Sequence, residues 1–398
     1  MTQMKNQPSR REFLRSSAAG ALGLALAGTS RANALGRNLS PELLLYVGTY
    51  TTGKSEGIYR YRFDLASGQL RPAGTTMKVV NPSFLTLSPN RRYLYAVNEV
   101  GDFGGRKSGA ITAFAVDQQS GELQLLNQQP SLGADPCYVE VDKTGKFVLA
   151  ANYTGGNVSV LPIRPDGSLG EATDMKQGEG SSVNRDRQEG PHAHCVVLDD
   201  SNRFAYSCDL GTDKIMIFQF DNRNGKLQPA PQPWAQAKPG AGPRHLTFHP
   251  TGRYVFVMNE LDSTITAFAR NQTNGSLIAL RTLTTLPAGF SGANTGADIH
   301  VSPDGRFVYC SNRGHNSIAI FAIGPAGDLA AVGHESTRGL TPRNFGIDPT
   351  GKFLLVANQK SDNIVVFSRD KRTGRLTAAG QQAEVPSPVC LKFGYAFS

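Results

Sequence analysis

One pattern of about 50 residues returns seven times along this 398-residue chain. Each copy begins at a proline or small residue with an apolar run, passes a tight turn and a basic-aromatic step, and closes in a second apolar run ending on Asn or its stand-in. Alternating segments such as ITAFAV and Gly-x-Leu turns such as SGELQLL follow, so each repeat predicts four short strands and no helix. Six copies are continuous and begin at Pro82, Pro136, Pro191, Pro243, Ala297 and Pro342.

The seventh copy is divided between the two ends of the chain. Its first half, SPVCLKF, lies at the C-terminus, and its second half, LLLYVGTY, lies near the N-terminus. Pairing the two halves in one blade removes two open sheet edges and closes a ring. The sequence therefore predicts an all-β fold: a single closed seven-bladed β-propeller, with four antiparallel strands per blade and the chain ends paired in one blade, over residues 43–396.

The first 34 residues have the pattern of a twin-arginine signal peptide. Ser9-Arg10-Arg11-Glu12-Phe13-Leu14 precedes an Ala/Gly/Leu stretch, and Ala32-Asn33-Ala34 is typical of a cleavage site. A basic tail or a membrane anchor is the alternative, but the stretch is too short and too weakly apolar to span a bilayer. We therefore predict removal of residues 1–34 by way of the twin-arginine export machinery, leaving a periplasmic protein without a stable membrane anchor, and expect a monomer.

The charge of the chain is mildly basic. Cleavage after Ala34 removes five Lys/Arg and one Glu and lowers the net charge from +9 to +5. No Lys/Arg run and no interleaving of aromatic and basic residues accompanies this charge, so we predict no nucleic-acid partner. A modest positive field favours a small anionic substrate.

The five cysteines form no C-x-x-C pair and lie in or at the end of apolar strand runs. Free, buried thiols are the simplest interpretation. Cys195 and Cys208 flank one turn at similar distances, and a disulfide between them is the alternative.

The two rims of the predicted ring differ. The turns between the first and second strands, such as DKTGK and DPTGK, are near copies and suit a repeated structural hairpin. The other rim, where first strands start and second strands end, varies from blade to blade, and a scaffold of this kind binds on its variable side. The variable rim collects histidines, arginines and a glutamate: His192, His194, Arg244, Glu260, Arg313 and Arg343. Two long loops, 171–190 and 286–296, are expected to wall its opening.

Each of these residues also has a purely structural interpretation. An Asn at a strand end is more typical of a turn than of a ligand, and an Arg at a strand start is typical of a solvated charge or a salt bridge. The H-x-H spacing of His192 and His194 could hold a metal, but the surrounding arginines outnumber the carboxylates. We therefore predict a binding site at the channel mouth with no metal and no cofactor.

Four segments carry a resemblance to a known family: GSSVNRDRQEGPHAH, GPRHLTFHPTGRYVFVMNE, GADIHVSPDGRFVYCSNRGHNSIAIF and TPRNFGIDPTGKFLLVAN. They resemble the seven-bladed propeller lactonases, which include bacterial 6-phosphogluconolactonase and have fungal carboxy-muconate lactonising enzymes as relatives. The resemblance implies hydrolysis of a sugar lactone or closure of a muconate to a lactone. It matches the GPHAH histidines, Arg244, Glu260 and Arg313 to the residues lining the muconate enzymes' channel mouth. The phosphogluconolactonase substrate is cytosolic, whereas this chain is predicted to be exported, so the natural lactone stays open.

On this resemblance, we predict a lactonase in which a general base activates water and arginines stabilise the oxyanion. His194 or Glu260 is the expected base, and Arg244 and Arg313 the oxyanion ligands, placed on an open mouth where they bury little area. The expected substrate-binding residues are His192, Arg187, Arg343, Asn152, Asn259 and Asn312. No serine lies in a G-x-S-x-G setting, so no acyl-enzyme is expected. A muconate-type cycloisomerase and a non-enzymatic binding scaffold are the alternatives.

Overall fold

The computed structural model describes residues 42–394, so the predicted signal peptide and the last four residues lie outside the described part of the chain. These residues form seven antiparallel sheets arranged as the blades of a propeller. Apart from one 3₁₀ turn at Gln359–Ser361, every regular element within residues 42–394 is a strand. The predicted all-β, seven-bladed fold is confirmed.

The strands are numbered in chain order, and blade 7 joins the first four to the last. Its members are β1 (Glu42–Thr49), β2 (Gly57–Asp64), β3 (Leu70–Pro72), β4 (Met77–Lys78) and β29 (Pro388–Phe393). Blade 1 contains β5 (Leu85–Leu87), β6 (Tyr93–Asn98), β7 (Ala110–Val116) and β8 (Leu123–Pro130). Blade 2 contains β9 (Pro136–Val141), β10 (Phe147–Asn152), β11 (Asn157–Pro162) and β12 (Asp174–Gln177). Blade 3 contains β13 (Ala193–Leu198), β14 (Phe204–Asp209), β15 (Lys214–Asp221) and β16 (Lys226–Gln236).

The remaining three blades follow the same order from the channel outward. Blade 4 contains β17 (Pro243–Phe248), β18 (Tyr254–Asn259), β19 (Thr264–Arg270) and β20 (Leu277–Thr284). Blade 5 contains β21 (Thr295–Val301), β22 (Phe307–Arg313), β23 (Ser317–Ile323) and β24 (Leu329–Ser336). Blade 6 contains β25 (Pro342–Ile347), β26 (Phe353–Asn358), β27 (Asn363–Arg369) and β28 (Leu376–Glu384).

The ring closes by the predicted pairing of the chain ends. β1 pairs antiparallel with β29, with Val47 opposite Leu391 and Gly48 opposite Cys390. The innermost strands of neighbouring blades contact each other around the whole ring, including β29 with β5 and β25. Closure leaves no blade with an open inner edge, which is how a propeller avoids edge-to-edge aggregation.

The hydrophobic core lies between the faces of adjacent blades. The second strand of each blade is buried on both faces, as in the fully buried β10, because a neighbouring blade covers each side. A tyrosine on this strand reaches the third-to-fourth-strand turn of the next blade in four of the blades. Its hydroxyl donates to a glycine carbonyl: Tyr46 to Gly121, Tyr95 to Gly167, Tyr206 to Gly275 and Tyr309 to Gly374, at 2.7–2.9 Å.

The near-identical hairpins of the uniform rim are held by side chains within each turn. In DKTGK, Asp142 Oδ1 accepts from the backbone N–H groups of Lys146 and Phe147 at 2.7 and 2.8 Å. Asp199 binds Arg203 and Phe204 in the same way at 2.9 and 3.0 Å. The polar side chains of this rim therefore stabilise its turns. The opposite rim is the one with variable polar residues.

Candidate active site

A β-bulge recurs where the innermost strand of a blade reaches the channel mouth. The strand register shifts at this point in blades 2 to 7, so one extra residue is left without a partner opposite it (two residues in blade 5). A bulge bends the strand and redirects the side chain of the extra residue. In five blades the single extra residues are Cys137, His194, Arg244, Arg343 and Val389. All five line the cavity at the mouth or the small chamber below it.

The mouth cavity has a volume of about 390 Å³. It is lined by Glu99, Cys137, Tyr153, Arg187, His194, Glu260, Thr295, Arg313 and Arg343. The chamber below is lined by Ser83, Phe84, Glu99, Cys137, Arg244, His245, Arg343, Asn344 and Val389. The volume falls in the range of small-molecule sites.

Glu260, directly after β18, lies at the centre of an arginine cluster. Its Oε1 is 2.7 Å from Arg187 Nη2, and its Oε2 is 2.9 Å from both Arg244 Nε and Arg313 Nη2. The Arg244 contact lacks the alignment of a hydrogen bond and is therefore an ion pair. The carboxylate is 5% exposed, so these charges interact with little screening from water.

The ionisation of Glu260 follows from this cluster. Burial alone would raise the pKa of its carboxyl, but Arg313, Arg244 and Arg187 lower it to about 2. Burial lowers the pKa of Arg313 to about 10, which still leaves this guanidinium charged at neutral pH. Glu260 is thus an ionised anchor for three arginines, and a carboxylate of so low a pKa is a poor general base.

His194 is buried beside this cluster. Its Nε2 is 4.0 Å from Glu260 Oε2, and its Nδ1 is 3.6 Å from the Cys137 thiol. Burial, Arg244 and His245 hold the pKa of His194 well below its ordinary value of 6.5, so the imidazole is neutral at neutral pH. Burial raises the pKa of Cys137 well above its ordinary value, so this group is a thiol and not a thiolate nucleophile.

The site carries a positive excess. Four guanidinium groups line the cavity or its lower chamber, on Arg187, Arg244, Arg313 and Arg343, against the carboxylates of Glu99 and Glu260. Two positive charges are therefore left over in a partly enclosed space, where they attract an anion strongly.

The sequence of the chain matches a known family across this whole ring. The family described as "Lactonase, 7-bladed beta-propeller" matches residues 44–393. The chain belongs to this lactonase family. The resemblance expected from the four sequence segments is confirmed.

Named relatives within the lactonase family share much of the sequence. A 6-phosphogluconolactonase of Bacillus subtilis strain 168 is 40% identical over 87% of this chain and 97% of its own length. A 6-phosphogluconolactonase of Formosa agariphila is 39% identical over 86% of this chain and 96% of its own length. The solved structure of the periplasmic gluconolactonase of Pseudomonas aeruginosa superposes with a TM-score of 0.84 at 37% identity, covering 89% of this chain and 99% of that one.

The structure of this lactonase-family member brings together five predicted site residues at the mouth: Arg187, His194, Glu260, Arg313 and Arg343. The two long loops wall the opening as expected. The segment after β12 supplies Arg187, and Thr295 lies at the end of the second loop. Buried Gln188 secures the first loop, because its Nε2 donates to Leu210 O at 2.9 Å.

The expected placement of Arg244 and Arg313 on an open mouth, where they would bury little area, is wrong. The Arg313 side chain is only 12% exposed, and Arg244, which is 2% exposed, forms the floor of the site. Its Nη1 donates to Ala297 O at 2.7 Å and lies 3.3 Å from His245 Nε2, while His245 Nδ1 lies 2.8 Å from Asp298 Oδ1. Replacing Arg244 would leave buried charges without a partner, so variants at this position report on stability as well as chemistry.

The structure does not bring Asn152, Asn259 or Asn312 to the cavity. Asn152 Nδ2 donates to Ser131 O at 3.0 Å, and Asn312 Nδ2 donates to Thr285 O at 2.7 Å. Asn259 Nδ2 donates to the hydroxyls of Thr264 and Thr266. The amides of Asn152 and Asn312 tie the end of the second strand to the connection from the preceding blade, and that of Asn259 ties it to the neighbouring strand. Their predicted contact with sugar hydroxyls is therefore not retained.

His192 lies one layer behind the cavity. Its ring stacks on Tyr153 at 4.5 Å, its Nδ1 is 3.0 Å from Tyr153 O, and its Nε2 is 3.0 Å from Glu189 Oε1. The residue therefore orients Tyr153, which does line the cavity, instead of meeting a ligand itself.

The sequence did not single out the cavity residue Glu99 or Tyr50, which is bonded to it. Glu99 follows Asn98 at the end of β6, and Tyr50 follows β1 in the split blade. Tyr50 Oη donates to Glu99 at 2.8 Å and accepts from Arg343 Nη2 at 2.7 Å. Their place at the ends of second strands, equivalent to that of Glu260 after β18, was the available signal.

The cysteines and the possible metal pair complete the comparison with the sequence. All five thiols are free and buried, and Cys195 lies opposite Cys208 in the ladder of blade 3. Within residues 42–394, no group of three or more His, Cys, Asp or Glu side chains is arranged to hold a metal ion. In the same part of the chain, no helix has the length and apolar character needed to cross a membrane.

Proposed function

We propose that this protein is a lactonase that hydrolyses a sugar lactone carrying an anionic group, of the 6-phosphogluconolactone type. The positive excess of the mouth cavity is the observation that supports this most strongly, because a neutral sugar lactone does not call for four arginines. The relatives named 6-phosphogluconolactonase and gluconolactonase support the same reaction class.

In the proposed reaction, water attacks the lactone carbonyl and the developing oxyanion is stabilised by Arg313, with Arg244 beneath it. The Arg313 guanidinium lines the mouth cavity and its side chain is 12% exposed, so it can face a bound lactone. Removing an oxyanion donor costs about 10²–10³-fold in turnover. Glu260 keeps both arginines in place by its ion pairs.

Arg187 and Arg343 are proposed to hold the anionic group. Arg187 is 38% exposed at the outer edge of the cavity, where a substrate arrives, and Arg343 is half-buried opposite it in blade 6. A guanidinium matches phosphate or carboxylate oxygens in a bidentate manner. The lactone ring would then extend from these groups toward Arg313 and His194.

Replacing Arg187 with glutamine tests this assignment. We expect KM for 6-phosphogluconolactone to rise about 10- to 100-fold with little change in kcat, because binding energy is lost equally from ground and transition states. Activity on unphosphorylated gluconolactone should change less than threefold. Steady-state kinetics on both lactones measure this, and Arg185→Gln, an exposed arginine of the same loop, is the matched control.

Assays of sugar lactones and muconates separate the lactonase from the cycloisomerase and the binding scaffold. A muconate substrate that is cyclised faster than any lactone is opened would favour the cycloisomerase. A wild-type protein with no turnover on sugar lactones or muconates would favour the binding scaffold. If Arg187→Gln loses activity equally on the phosphorylated and the unphosphorylated lactone, this arginine does not recognise the phosphate.

Export to the periplasm is proposed on the twin-arginine pattern, which lies outside the described residues, and on the periplasmic gluconolactonase relative. Replacing Arg10 and Arg11 with lysine should leave a full-length precursor in the cytoplasm, because the arginine pair is the feature read by this route. Fractionation and immunoblotting measure the result. Mature protein that still reaches the periplasm would contradict a twin-arginine route.

A further inference from the structure

Glu99 is a second carboxylate in the cavity, and its surroundings differ from those of Glu260. Both oxygens of Glu99 lie near Tyr50 Oη, at 2.8 and 2.9 Å, and Ser83 Oγ donates to Oε2. Within residues 42–394 the hydrogen bonds to the Glu99 carboxylate come from hydroxyl groups, whereas the Glu260 carboxylate is paired with three guanidinium groups. Lone pairs of Glu99 therefore stay available to a water molecule.

The position of Glu99 in the ring sets it across the channel from the arginine cluster. Glu99 belongs to blade 1, while Arg244 and Glu260 belong to blade 4 and Arg313 to blade 5. In a ring of seven blades, blades 4 and 5 are the two opposite blade 1. Glu99 also lines both the mouth cavity and the chamber below it, so it spans the depth at which Arg244 and Arg313 lie.

This arrangement suits attack of water on a carbonyl group, which needs a ligand for the oxyanion and a separate proton acceptor for the water. A lactone whose carbonyl oxygen meets Arg313 places its carbonyl carbon inside the channel. Water attacks this carbon from one face of the carbonyl group, at an obtuse angle to the C=O bond, so its proton acceptor must lie on the carbon side, away from the oxyanion ligands. His194 and Glu260 lie within the arginine cluster, 4.0 Å from each other, and Glu99 lies opposite.

We propose that Glu99 is the general base of the lactonase, an inference that rests on the proposed function. The Glu99 carboxylate removes a proton from water as the water oxygen bonds to the lactone carbonyl carbon. The carbonyl π electrons move to the oxygen facing Arg313. When the tetrahedral intermediate collapses, the bond to the ring oxygen breaks, and the proton passes from Glu99 to that oxygen, which leaves the open-chain hydroxy acid.

Tyr50 and Arg343 act as positioning residues for this base. Arg343 Nη2 donates to Tyr50 Oη, and the guanidinium lies 5.2 Å from the centre of the Tyr50 ring. Tyr50 in turn donates to Glu99, which fixes the carboxylate orientation. Tyr50→Phe should therefore lower kcat less than loss of Glu99 does, and rescue by an added base should not occur.

The test uses the purified mature protein and 6-phosphogluconolactone or gluconolactone. We expect Glu99→Gln to lower kcat by about 10²–10⁴-fold, the usual contribution of a general base, with KM changed less than fivefold. Formate added to Glu99→Ala should restore activity at least tenfold, because a small carboxylate can occupy the vacated space. Formate should not rescue Arg313→Gln, and Glu179→Gln, an exposed glutamate on the loop at the mouth, should behave as wild type.

Several outcomes would overturn the proposal. Full turnover by folded Glu99→Gln would exclude Glu99 as the base. The proposed lactonase function would still stand in that case, because the wild-type protein hydrolyses the lactone. A burst of product, with Ser83→Ala losing as much activity as Glu99→Gln, would show an acyl-enzyme on Ser83 instead of attack by water. A wild-type protein inactive on every lactone would remove the proposed function and this proposal with it. Thermal unfolding of each variant separates loss of the fold from loss of chemistry.

Discussion

Replacing Arg313 with glutamine should lower kcat/KM for the best lactone by about 10²–10³-fold, mostly through kcat. The reason is that the Arg313 guanidinium lines the mouth cavity, where we propose that the oxyanion forms. The interaction strengthens as negative charge develops on the carbonyl oxygen, so the transition state loses more than bound substrate. Steady-state kinetics measure the effect.

Two further variants sharpen this result. Arg313→Lys keeps the charge but loses the planar fork, so we expect partial recovery only. Arg253→Gln, exposed in the hairpin of the opposite rim, should leave turnover within a factor of two of wild type. Wild-type kcat in both Arg313 variants would show that the oxyanion is stabilised elsewhere.

Replacing Glu260 with glutamine should destabilise the fold by about 3–5 kcal/mol at pH 7, because it removes the anion shared by buried Arg244 and Arg313. Urea unfolding of wild type and variant measures this difference. Glu56→Gln is the control, since the Glu56–Lys78 pair is mostly exposed and such pairs contribute little. A change below 1 kcal/mol in Glu260→Gln would contradict the role of Glu260 as anchor.

The contribution of Glu260 to the free energy of unfolding should also depend on pH. The arginines lower the pKa of Glu260 from 4.5 to about 2 in the folded protein. A depressed carboxyl pKa adds stability that is complete above the unfolded value and is lost as the pH falls from about 5 toward 2, here on the order of 3 kcal/mol. The stability gap between wild type and Glu260→Gln should therefore narrow over that range and stay constant above pH 6.

The sequence was sufficient to predict the ring, because every blade repeats the same strand and turn signals and the split copy specifies closure. It also predicted the rim that holds the cavity. The predicted rim includes Glu260 and Arg313, because they lie at the ends of second strands, and Arg187, because it lies in a long loop. These are features that the repeat pattern marks by position.

Other parts of the site could not be derived in this way. The repeated strand-end Asn residues, such as Asn152 and Asn312, share the rim with the site, but their amides donate to the connection from the preceding blade. Glu99 lacked a distinctive neighbour in the sequence. Its importance comes from contacts made by the fold, above all with Tyr50, which is nearly fifty positions away and donates from the split blade. Burial of Arg244 depends on the chamber below the mouth, which no local pattern encodes.

The recurring bulge has a consequence for how such a protein can change its substrate during evolution. Each bulge residue, such as Cys137, His194 or Arg343, stands outside the regular ladder on either side of it. A substitution there alters the chemistry of the cavity while the hydrogen bonds that hold the blade are kept. The channel mouth therefore has one variable position in almost every blade. Where the bulge side chain is not a buried ion-pair partner, as Arg244 is, a single mutation can change the specificity while the blade keeps its hydrogen bonds.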